Sequence, residues 1–544
     1  MTRPANVTER TVDALSTRLF GLPPRRAGYS VRTDIPVRAH DGVLLLTDHY
    51  APDGPAVGTV VMRTPYQRAG LFPQTLNGLF APRGYHVVVQ SVRGTFGSGG
   101  EYAPGADAVE DGAATLSWLR EQPWFDGRLA LIGGSALSHS MWGMLAEPVP
   151  ELVAVAAFTS FDEPYSVAHG DGAFTLNDQL TLCDSMARQG NRSVVSMVTE
   201  VLRSDGGLGP ALASLPVAAA AERFVGPGCG WYRESASPLP TDPYWRALDV
   251  SAAIDRIDVP VRLISGWQDK FLDQTLAQYQ RLRGRGVDVA LTVGPWSHIE
   301  MLTKALGLVL REVFDWVDGH LTGPPPAGEP VSYYVTGASE WRNASEWPPP
   351  GTRDHRLYLG PGRRLTSEAP AAVDRSVGFR YDPKDPTPTI GGRFVSRRAG
   401  YQEDSSLVRR LDTVSFVTEP LDLPLEVIGA PRVTLAHRCD NPDFDLWVRV
   451  SEVRPDGRSH NVTEAFRGSP HTDDDGRVEL ELDPCAHRFA AGSRIGLIVA
   501  GGSFPRYARN LGLPGDRTEG TELRTSRHVI GLASGASWLS LPVS

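Results

Sequence analysis

Apolar and polar residues alternate along residues 31–160 with two different periods. Three short apolar runs predict buried parallel strands: 58-GTVVM-62, 85-YHVVVQ-90 and 129-LALIG-133. Between the last two runs, 107-DAVEDGAATLSWLREQ-122 carries apolar residues at helical spacing. An order of strand, helix and strand predicts a parallel sheet with helices packed on its faces.

The same alternation returns further along the chain. It is formed by a strand-like run, a helical run and a second strand-like run: 260-PVRLIS-265, 273-DQTLAQYQRLRGR-285 and 288-DVALTV-293. The residues between the two blocks, 161–247, look mainly helical and irregular, with a Gly/Pro-rich end. An insertion at this point predicts a cap over the edge of the sheet.

The pattern changes again after 323-GPPPAGEP-330, where helical periodicity fades. Short strands then recur with Gly, Pro and Asp between them: 331-VSYYVTG-337, 412-DTVSFVT-418, 425-LEVIG-429, 431-PRVTLAH-437, 444-FDLWVRVSEV-453 and 494-RIGLIVAG-501. Many short strands at roughly regular spacing are typical of a β-sandwich or jelly roll. We therefore expect four parts: an N-terminal extension (1–30), an α/β catalytic domain (31–160 and 248–325), a helical cap (161–247) and a C-terminal jelly roll (326–544).

Composition restricts the partners that the chain can bind. The 544 residues carry a formal net charge of −9, which argues against nucleic acid and anionic membranes because both attract basic surfaces. The chain contains no run of eighteen apolar residues, so no membrane span is predicted. The first twenty residues also lack the apolar stretch of a signal peptide. We therefore expect a cytoplasmic protein. None of its cysteines has CxxC spacing, and all four are expected to be free thiols: Cys183, Cys229, Cys439 and Cys485.

One turn between a strand and a helix has the features of a nucleophile site. The chain runs from the strand at 129–133 through Gly133, Gly134 and Ser135 into a helix, and a nucleophilic serine on such a turn needs small neighbours. The helix N-terminus directs free backbone N–H groups at the site, so the N–H of Ala136 can bind an oxyanion. The alternative is a Gly-rich turn with an incidental N-cap serine. The GxSxG pattern is incomplete, because Leu137 occupies its second Gly position.

An acid and a base follow Ser135 in the order expected for a catalytic triad. Asp269 comes just after one predicted buried strand, and His298 lies in a loop after the next. Catalytic groups of α/β proteins collect at such strand ends. In this arrangement His298 takes the serine proton and Asp269 fixes the imidazole tautomer. Asp273 is a rival acid, although it resembles the N-cap of the next helix, and His139 is a rival base one helical turn past Ser135.

Several further motifs occur along the chain, before and after the residues of the triad. They are 36-PVRAHDGVLL-45, 63-RTPYQR-68, 93-RGTFGSGGEY-102, 118-WLREQPWFDG-127, 265-SGWQD-269, 294-GPWSH-298, 341-WRNASEWPPP-350, 381-YDPKDPTPTIGG-392, 455-PDGRS-459 and 503-SFPRYARN-510. From about residue 31 onwards, the chain resembles the cocaine esterase / X-Pro dipeptidyl-peptidase (CocE/NonD) hydrolases.

The resemblance implies an α/β-hydrolase core with a helical cap and a C-terminal jelly roll. It places the triad on Ser135, Asp269 and His298, and it adds the phenol of Tyr66 as a second oxyanion donor beside the N–H of Ala136. Two tryptophans in the quoted motifs, Trp267 and Trp296, are expected to bind substrate. No cofactor and no metal is expected.

Two departures from the family pattern affect the expected function. Where the family usually has Gly-x-Ser-Tyr-x-Gly, this chain has Ala136 in place of Tyr and Ser138 in place of the final Gly, and Ser91 replaces an acid before the Arg-Gly motif. The loss of a phenol ring predicts a roomier acyl pocket. We expect a serine hydrolase that cleaves an ester or amide of a bulky small molecule, in a chain that could form a homodimer. The alternatives are a tailoring enzyme of natural-product biosynthesis and an inactive binding protein.

Overall fold

The computed structural model describes residues 2–68, 76, 78–188, 207–226, 229–324, 327–370, 375–469, 472 and 476–544. Within these residues, the first of two sheets has eleven strands in the order β1-β2-β3-β5-β4-β6-β7-β8-β9-β10-β11. Its strands are β1 (Thr2–Pro4), β2 (Tyr29–Arg38), β3 (Leu44–Pro52), β4 (Thr59–Thr64), β5 (His86–Ser91), β6 (Leu129–Gly134), β7 (Leu152–Phe158), β8 (Val261–Gln268), β9 (Val289–Ser297), β10 (Val331–Val335) and β11 (Glu340–Ala344). The central strands from β5 to β10 run parallel, and antiparallel pairs close both edges.

Helices cover both faces of this sheet and occur in the described parts of the segment between β7 and β8, and one more short helix lies in the C-terminal part. In chain order they are α1 (Val7–Phe20), α2 (Ala108–Arg120), α3 (Ala136–Met144), α4 (Pro164–His169), α5 (Leu176–Arg188), α6 (Gly209–Ala213), α7 (Ala220–Phe224), α8 (Gly230–Ser235), α9 (Pro243–Leu248), α10 (Leu272–Gly284), α11 (His298–Met301), α12 (Leu306–Thr322) and α13 (Ser405–Val408). Successive strand residues Val60 and Val61 belong to apolar clusters on opposite faces. The apolar runs of the sequence are therefore strands buried on both sides.

Helices α4 to α9 form the cap that the sequence predicts. Phe174, Leu180 and Trp231 belong to an apolar cluster that lies mainly in the cap, and residues of α4 and α9 form a second, smaller cluster. The prediction of four free thiols is wrong for two of them, because Cys183 and Cys229 form a disulfide. The two cysteines are 46 positions apart, and no local spacing signals their pairing. Cys439 and Cys485 are free, as predicted.

The C-terminal part forms a second sheet around an apolar core. Its thirteen strands, among the residues described, are β12 (Arg353–Gly360), β13 (Arg364–Thr366), β14 (Ser376–Tyr381), β15 (Thr413–Val417), β16 (Leu425–Gly429), β17 (Arg432–Cys439), β18 (Asp445–Val453), β19 (Ser459–Gly468), β20 (Arg477–Glu481), β21 (Cys485–Phe489), β22 (Arg494–Ala500), β23 (Ser526–Gly531) and β24 (Trp538–Val543). Nearly all pairs are antiparallel, as in the predicted jelly roll. Inward side chains such as Val433, Leu497 and Leu539 form the core.

Strand pairing changes the expected division of the chain at two places. The run at 331–337 was expected to open the jelly roll, but β10 pairs in parallel with β9, with Val331 opposite Leu291. At the other end, β1 pairs with β2, with Thr2 opposite Arg32, so the N-terminal residues join the first sheet. Apolar runs identify strands but not their partners, so the sequence predicted neither pairing. Among the described residues, no helix is both long and apolar enough to cross a membrane.

Candidate active site

Ser135 lies on a sharp turn between β6 and α3. Its backbone is strained, with φ 55° and ψ −127°, a conformation that L residues rarely adopt. A Cβ at Gly133 would lie 2.6 Å from Ser138 Cα and 2.8 Å from the carbonyl oxygen of Leu137. The helix thus passes so close to the strand that only glycine fits at position 133.

Ser138 replaces a glycine of the family pattern without disturbing this turn. It is fully buried. Its Oγ donates to the carbonyl oxygen of Ser135 at 2.6 Å and accepts from the N–H of Phe161 at 3.2 Å. The hydroxyl therefore satisfies two backbone groups and links the turn to the chain segment that enters the cap.

A continuous chain of hydrogen bonds joins Ser135, which follows β6, to His298 after β9 and Asp269 after β8. Ser135 Oγ lies 3.2 Å from His298 Nε2, and His298 Nδ1 lies 2.9 Å from Asp269 Oδ2. The second carboxylate oxygen of Asp269 accepts from the N–H of Phe271 at 2.8 Å. Since the carboxylate can only accept, Nδ1 carries the imidazole proton and Nε2 offers its lone pair to Ser135. The carboxylate is fully buried, and its partners fix its orientation.

The rival acid lies outside this chain of hydrogen bonds. Asp273 is 60 % exposed and is paired with Arg393 of the C-terminal part. The expectation that it caps the next helix is wrong, because Phe271 is the N-cap of α10 and Asp273 stands in the first turn.

The rival base is also engaged elsewhere. His139 Nε2 lies 2.7 Å from the carbonyl oxygen of Leu248, and its ring stacks on Phe161. Burial lowers the pKa of His139 to about 4. Its side chain lines the same cavity as Ser135, but its hydrogen bond is made to the cap.

The triad opens onto a cavity of about 220 Å³ between the core and the cap. Ser135, Ala136 and His298 line it together with Tyr66. Burial raises the pKa of Tyr66 to about 12, so the phenol keeps its proton at neutral pH and can donate a hydrogen bond. The cavity exceeds the roughly 150 Å³ that holds a benzene molecule in an apolar core.

Two predicted substrate-binding residues lie elsewhere. Trp267 is buried against Trp347, and its indole N–H donates to the carbonyl oxygen of Tyr334 at 2.7 Å. The ring of Trp296 covers Gly294 and contacts Trp341. Neither residue is among those that line the cavity, so the expectation that both bind substrate stays a prediction. They stand in the same strand-end motifs as Asp269 and His298, but they point into the packing between strands and loops.

Sequence reasoning missed an aromatic wall and an ion pair in the cavity. The rings of Phe161 and Phe271 stack at a centroid distance of 4.5 Å, and both line the cavity. Lys270 lies between Asp269 and Phe271 and pairs with Asp178 of α5. The position of Phe271, two residues after the triad acid, was a usable signal. No sequence signal connects Lys270 to Asp178. Among the described residues, no cluster of His, Cys, Asp or Glu side chains is suited to a metal ion.

Comparison with known families gives matches over most of the chain. Residues 41–300 match the X-Pro dipeptidyl-peptidase (S15 family) model. Residues 327–537 match the C-terminal non-catalytic domain of X-Pro dipeptidyl-peptidases. The cocaine esterase of Rhodococcus sp. (strain MB1 Bresler) is 28% identical over 537 residues, which cover 89% of this chain and 92% of that protein.

Solved structures share the whole architecture. An α-amino acid ester hydrolase superposes with a TM-score of 0.80 at 21% identity, covering 96% of this chain and 98% of the other. An aminopeptidase from a marine sediment archaeon, Thaumarchaeota archaeon, gives a TM-score of 0.79 at 23% identity, covering 95% and 96%. These likenesses establish the fold. Together with the family matches, they confirm the resemblance first drawn from the motifs: the chain belongs to the CocE/NonD and X-Pro dipeptidyl-peptidase family of serine hydrolases.

Proposed function

We propose that Ser135, His298 and Asp269 are the catalytic triad of an esterase that works through an acyl-enzyme. The observation that carries the proposal is the unbroken hydrogen-bond chain from Ser135 Oγ through the imidazole to a buried carboxylate. The similarity to a cocaine esterase supports an ester over an amide.

In the proposed reaction each group has its own step. Ser135 Oγ attacks the ester carbonyl carbon while Nε2 of His298 takes its proton, and the carbonyl oxygen becomes an oxyanion. The imidazolium then returns the proton to the departing alkoxide, which leaves as an alcohol. Water, deprotonated by the same imidazole, attacks the acyl-enzyme and releases the acid and free Ser135. The Asp269 carboxylate stabilises the imidazolium in both halves of the cycle.

Two donors suit the oxyanion. Ala136 is the first residue of α3, and the N–H groups of a first helical turn have no acceptor within the helix. Tyr66 lines the cavity with Ser135 and holds its phenolic proton. We assign the Ala136 N–H and the Tyr66 hydroxyl to the oxyanion hole, where preorganised donors lower the barrier most effectively.

The substrate of the proposed reaction is a neutral ester with a bulky aromatic acyl group. Stacked rings of Phe161 and Phe271 form one wall of the cavity, and Ala136 leaves open the space that a tyrosine would fill. Filling apolar space gains ~25 cal/mol per Å² of surface removed from water, so a large acyl group binds better than acetyl.

The remaining expectations stay predictions. They concern a cytoplasmic location, a role in natural-product chemistry, a homodimer, and the lack of nucleic-acid and membrane partners. The Cys183–Cys229 disulfide weighs against a reducing compartment, where such bonds are rare. Alkylation of thiols trapped in intact cells would show whether the bond exists there.

Hydrolysis of 4-nitrophenyl esters of increasing acyl size tests the proposal. We expect turnover of all the esters, with kcat/KM rising from acetyl to phenylacetyl and naphthoyl, and none above background for Ser135→Ala. A folded wild-type protein that hydrolyses none of them would overturn the esterase assignment. A preference for acetyl would overturn only the acyl-group assignment.

A further inference from the structure

A buried ion pair lies in the cavity beside the triad. Lys270 is one of only three lysines in the chain, and it directly follows Asp269. Its Nζ lies 3.2 Å from Oδ2 of Asp178, and the two side chains are only 12% and 5% exposed. Both residues line the cavity that contains Ser135. The pair is therefore among the charged groups that a molecule bound in the cavity meets, together with Arg63, Arg93 and Glu101.

The hydrogen-bonding capacity of Asp178 is largely occupied. Its Oδ1 accepts from the backbone N–H of Val395 at 2.7 Å and from the side-chain amide of Asn177 at 3.3 Å, while Lys270 takes Oδ2. Donors from the core, the cap and the C-terminal part thus meet on one carboxylate. Glu101 is the other carboxylate among the described lining residues, and it is exposed to solvent. Among the described residues that line the cavity, the buried carboxylate is therefore already paired with a cation and is not available to a cationic substrate.

A free α-amino group would need such a carboxylate. Esters of amino acids and peptides with a free N-terminus carry an ammonium group below a pKa of ~7.7–8.0, and burying an ammonium without an anionic partner is costly. We propose that Lys270 is a specificity-determining residue: its ammonium group occupies Asp178 and excludes substrates with a free α-amino group. This inference rests on the proposed esterase function and defines the acyl groups that the site rejects.

Two esters that differ by one amino group test the proposal. The methyl esters of phenylalanine and of 3-phenylpropanoic acid share the same ring and chain, and at pH 6.5 the first carries an ammonium group. We measure kcat/KM for each and take the ratio of the charged to the neutral ester. The wild type is expected to favour the neutral ester. Lys270→Met leaves Asp178 free to accept a charge-assisted hydrogen bond from the substrate, so the ratio should rise by about 10- to 100-fold.

Matched variants separate specificity from a structural role. Lys270→Arg keeps a cation beside Asp178 and should retain the wild-type ratio. Lys384→Met removes the same charge from an exposed position outside the cavity and should also leave the ratio unchanged. In Asp178→Asn/Lys270→Met the receptor for the ammonium group is absent, so the gain should disappear. If Lys270→Met lowers the melting temperature and slows both esters equally, the pair only holds the cap in place and the proposal is wrong.

Binding measurements keep this test independent of turnover. In a Ser135→Ala background, titration calorimetry gives the Kd of each methyl ester with and without Lys270→Met. The affinity ratio should shift towards the ammonium ester by the same factor. If the wild type hydrolyses neither these methyl esters nor the 4-nitrophenyl esters but this shift occurs, the esterase function fails and the role of Lys270 stands. If the neutral ester is hydrolysed and neither ratio moves, or if the double variant also shows the gain, the role of Lys270 is refuted.

Discussion

Replacing Asp269 with asparagine changes one atom in the triad and leaves its shape intact. The carboxylate makes two contacts, one to His298 Nδ1 at 2.9 Å and one from the Phe271 N–H at 2.8 Å. An amide has only one oxygen for these two donors. If the oxygen keeps the Phe271 N–H, the amide nitrogen faces Nδ1, and the imidazole must then carry its proton on Nε2. In that tautomer it cannot accept the proton of Ser135.

The opposite amide orientation is also unfavourable. The oxygen then accepts from Nδ1, but the amide nitrogen faces the N–H of Phe271, and leaving a buried N–H without an acceptor costs ~1–3 kcal/mol. Even in this orientation the amide lacks the charge that stabilises the imidazolium. We therefore expect Asp269→Asn to lower kcat by roughly 10⁴-fold, which corresponds to about 5 kcal/mol in the activation barrier.

The assay is hydrolysis of a 4-nitrophenyl ester, with circular dichroism as a check that the variant is folded. Asp273→Asn is the matched control, because it makes the same chemical change four residues away, at a side chain that is 60 % exposed and is paired with the buried Arg393. Asp273 takes no part in the hydrogen bonds of the triad, and Arg393 keeps its pair with Asp483, so kcat should change by less than about fivefold. A loss below about 100-fold for Asp269→Asn, or a larger loss for Asp273→Asn, would refute the assignment of the acid.

Three further predictions concern the oxyanion, the acyl pocket and the pH dependence of stability. Tyr66→Phe should lower kcat by ~10²–10³-fold with little change in KM, and a variant altered only in KM would show that Tyr66 merely lines the cavity. Ala136→Tyr should shift kcat/KM across an acyl series towards small groups, and an unchanged ranking would contradict the roomy pocket. Burial lowers the pKa of five histidines from 6.5 to about 3 or 4. As the pH falls below 6.5, these histidines therefore take up protons in the unfolded chain but not yet in the folded one. The free energy of unfolding then decreases by on the order of 2 kcal/mol per histidine by pH 5. The urea midpoint should therefore be lower at pH 5 than at pH 7.5, and an equal or higher midpoint would contradict the burial of these residues: His49, His139, His169, His437 and His528.

Local signals in the sequence predicted much of the catalytic half of the molecule. The apolar run at 129–133 followed by Gly133-Gly134-Ser135 specifies a strand, a tight turn and a helix, because only small residues allow that close approach. Asp269 and His298 could be placed because parallel strands end at one edge of the sheet, so groups that follow successive strands meet there. The recurring short strands after residue 330 predicted the C-terminal domain, and the family motifs added Tyr66.

Features that depend on distant contacts could not be predicted in this way. Cys183 and Cys229 come together only when α5 and α8 pack in the cap. Lys270 and Asp178 lie 92 positions apart and meet only in the tertiary structure. The indole of Trp267 could have faced either side of its strand end, and the choice depends on the packing of Trp347 and on the carbonyl of Tyr334. Pattern and propensity carry no information on such partners.

The assignment of Ser135 as the nucleophile is tested directly by identifying the residue that a fluorophosphonate modifies. The wild-type protein is treated with the probe, digested, and the labelled peptide is sequenced by mass spectrometry. We expect one adduct on Ser135, no adduct in Ser135→Ala, and strongly slowed labelling in His298→Ala because the base is missing. An adduct on another residue, or rapid labelling of the Ser135→Ala protein, would contradict the assignment of Ser135 as the nucleophile.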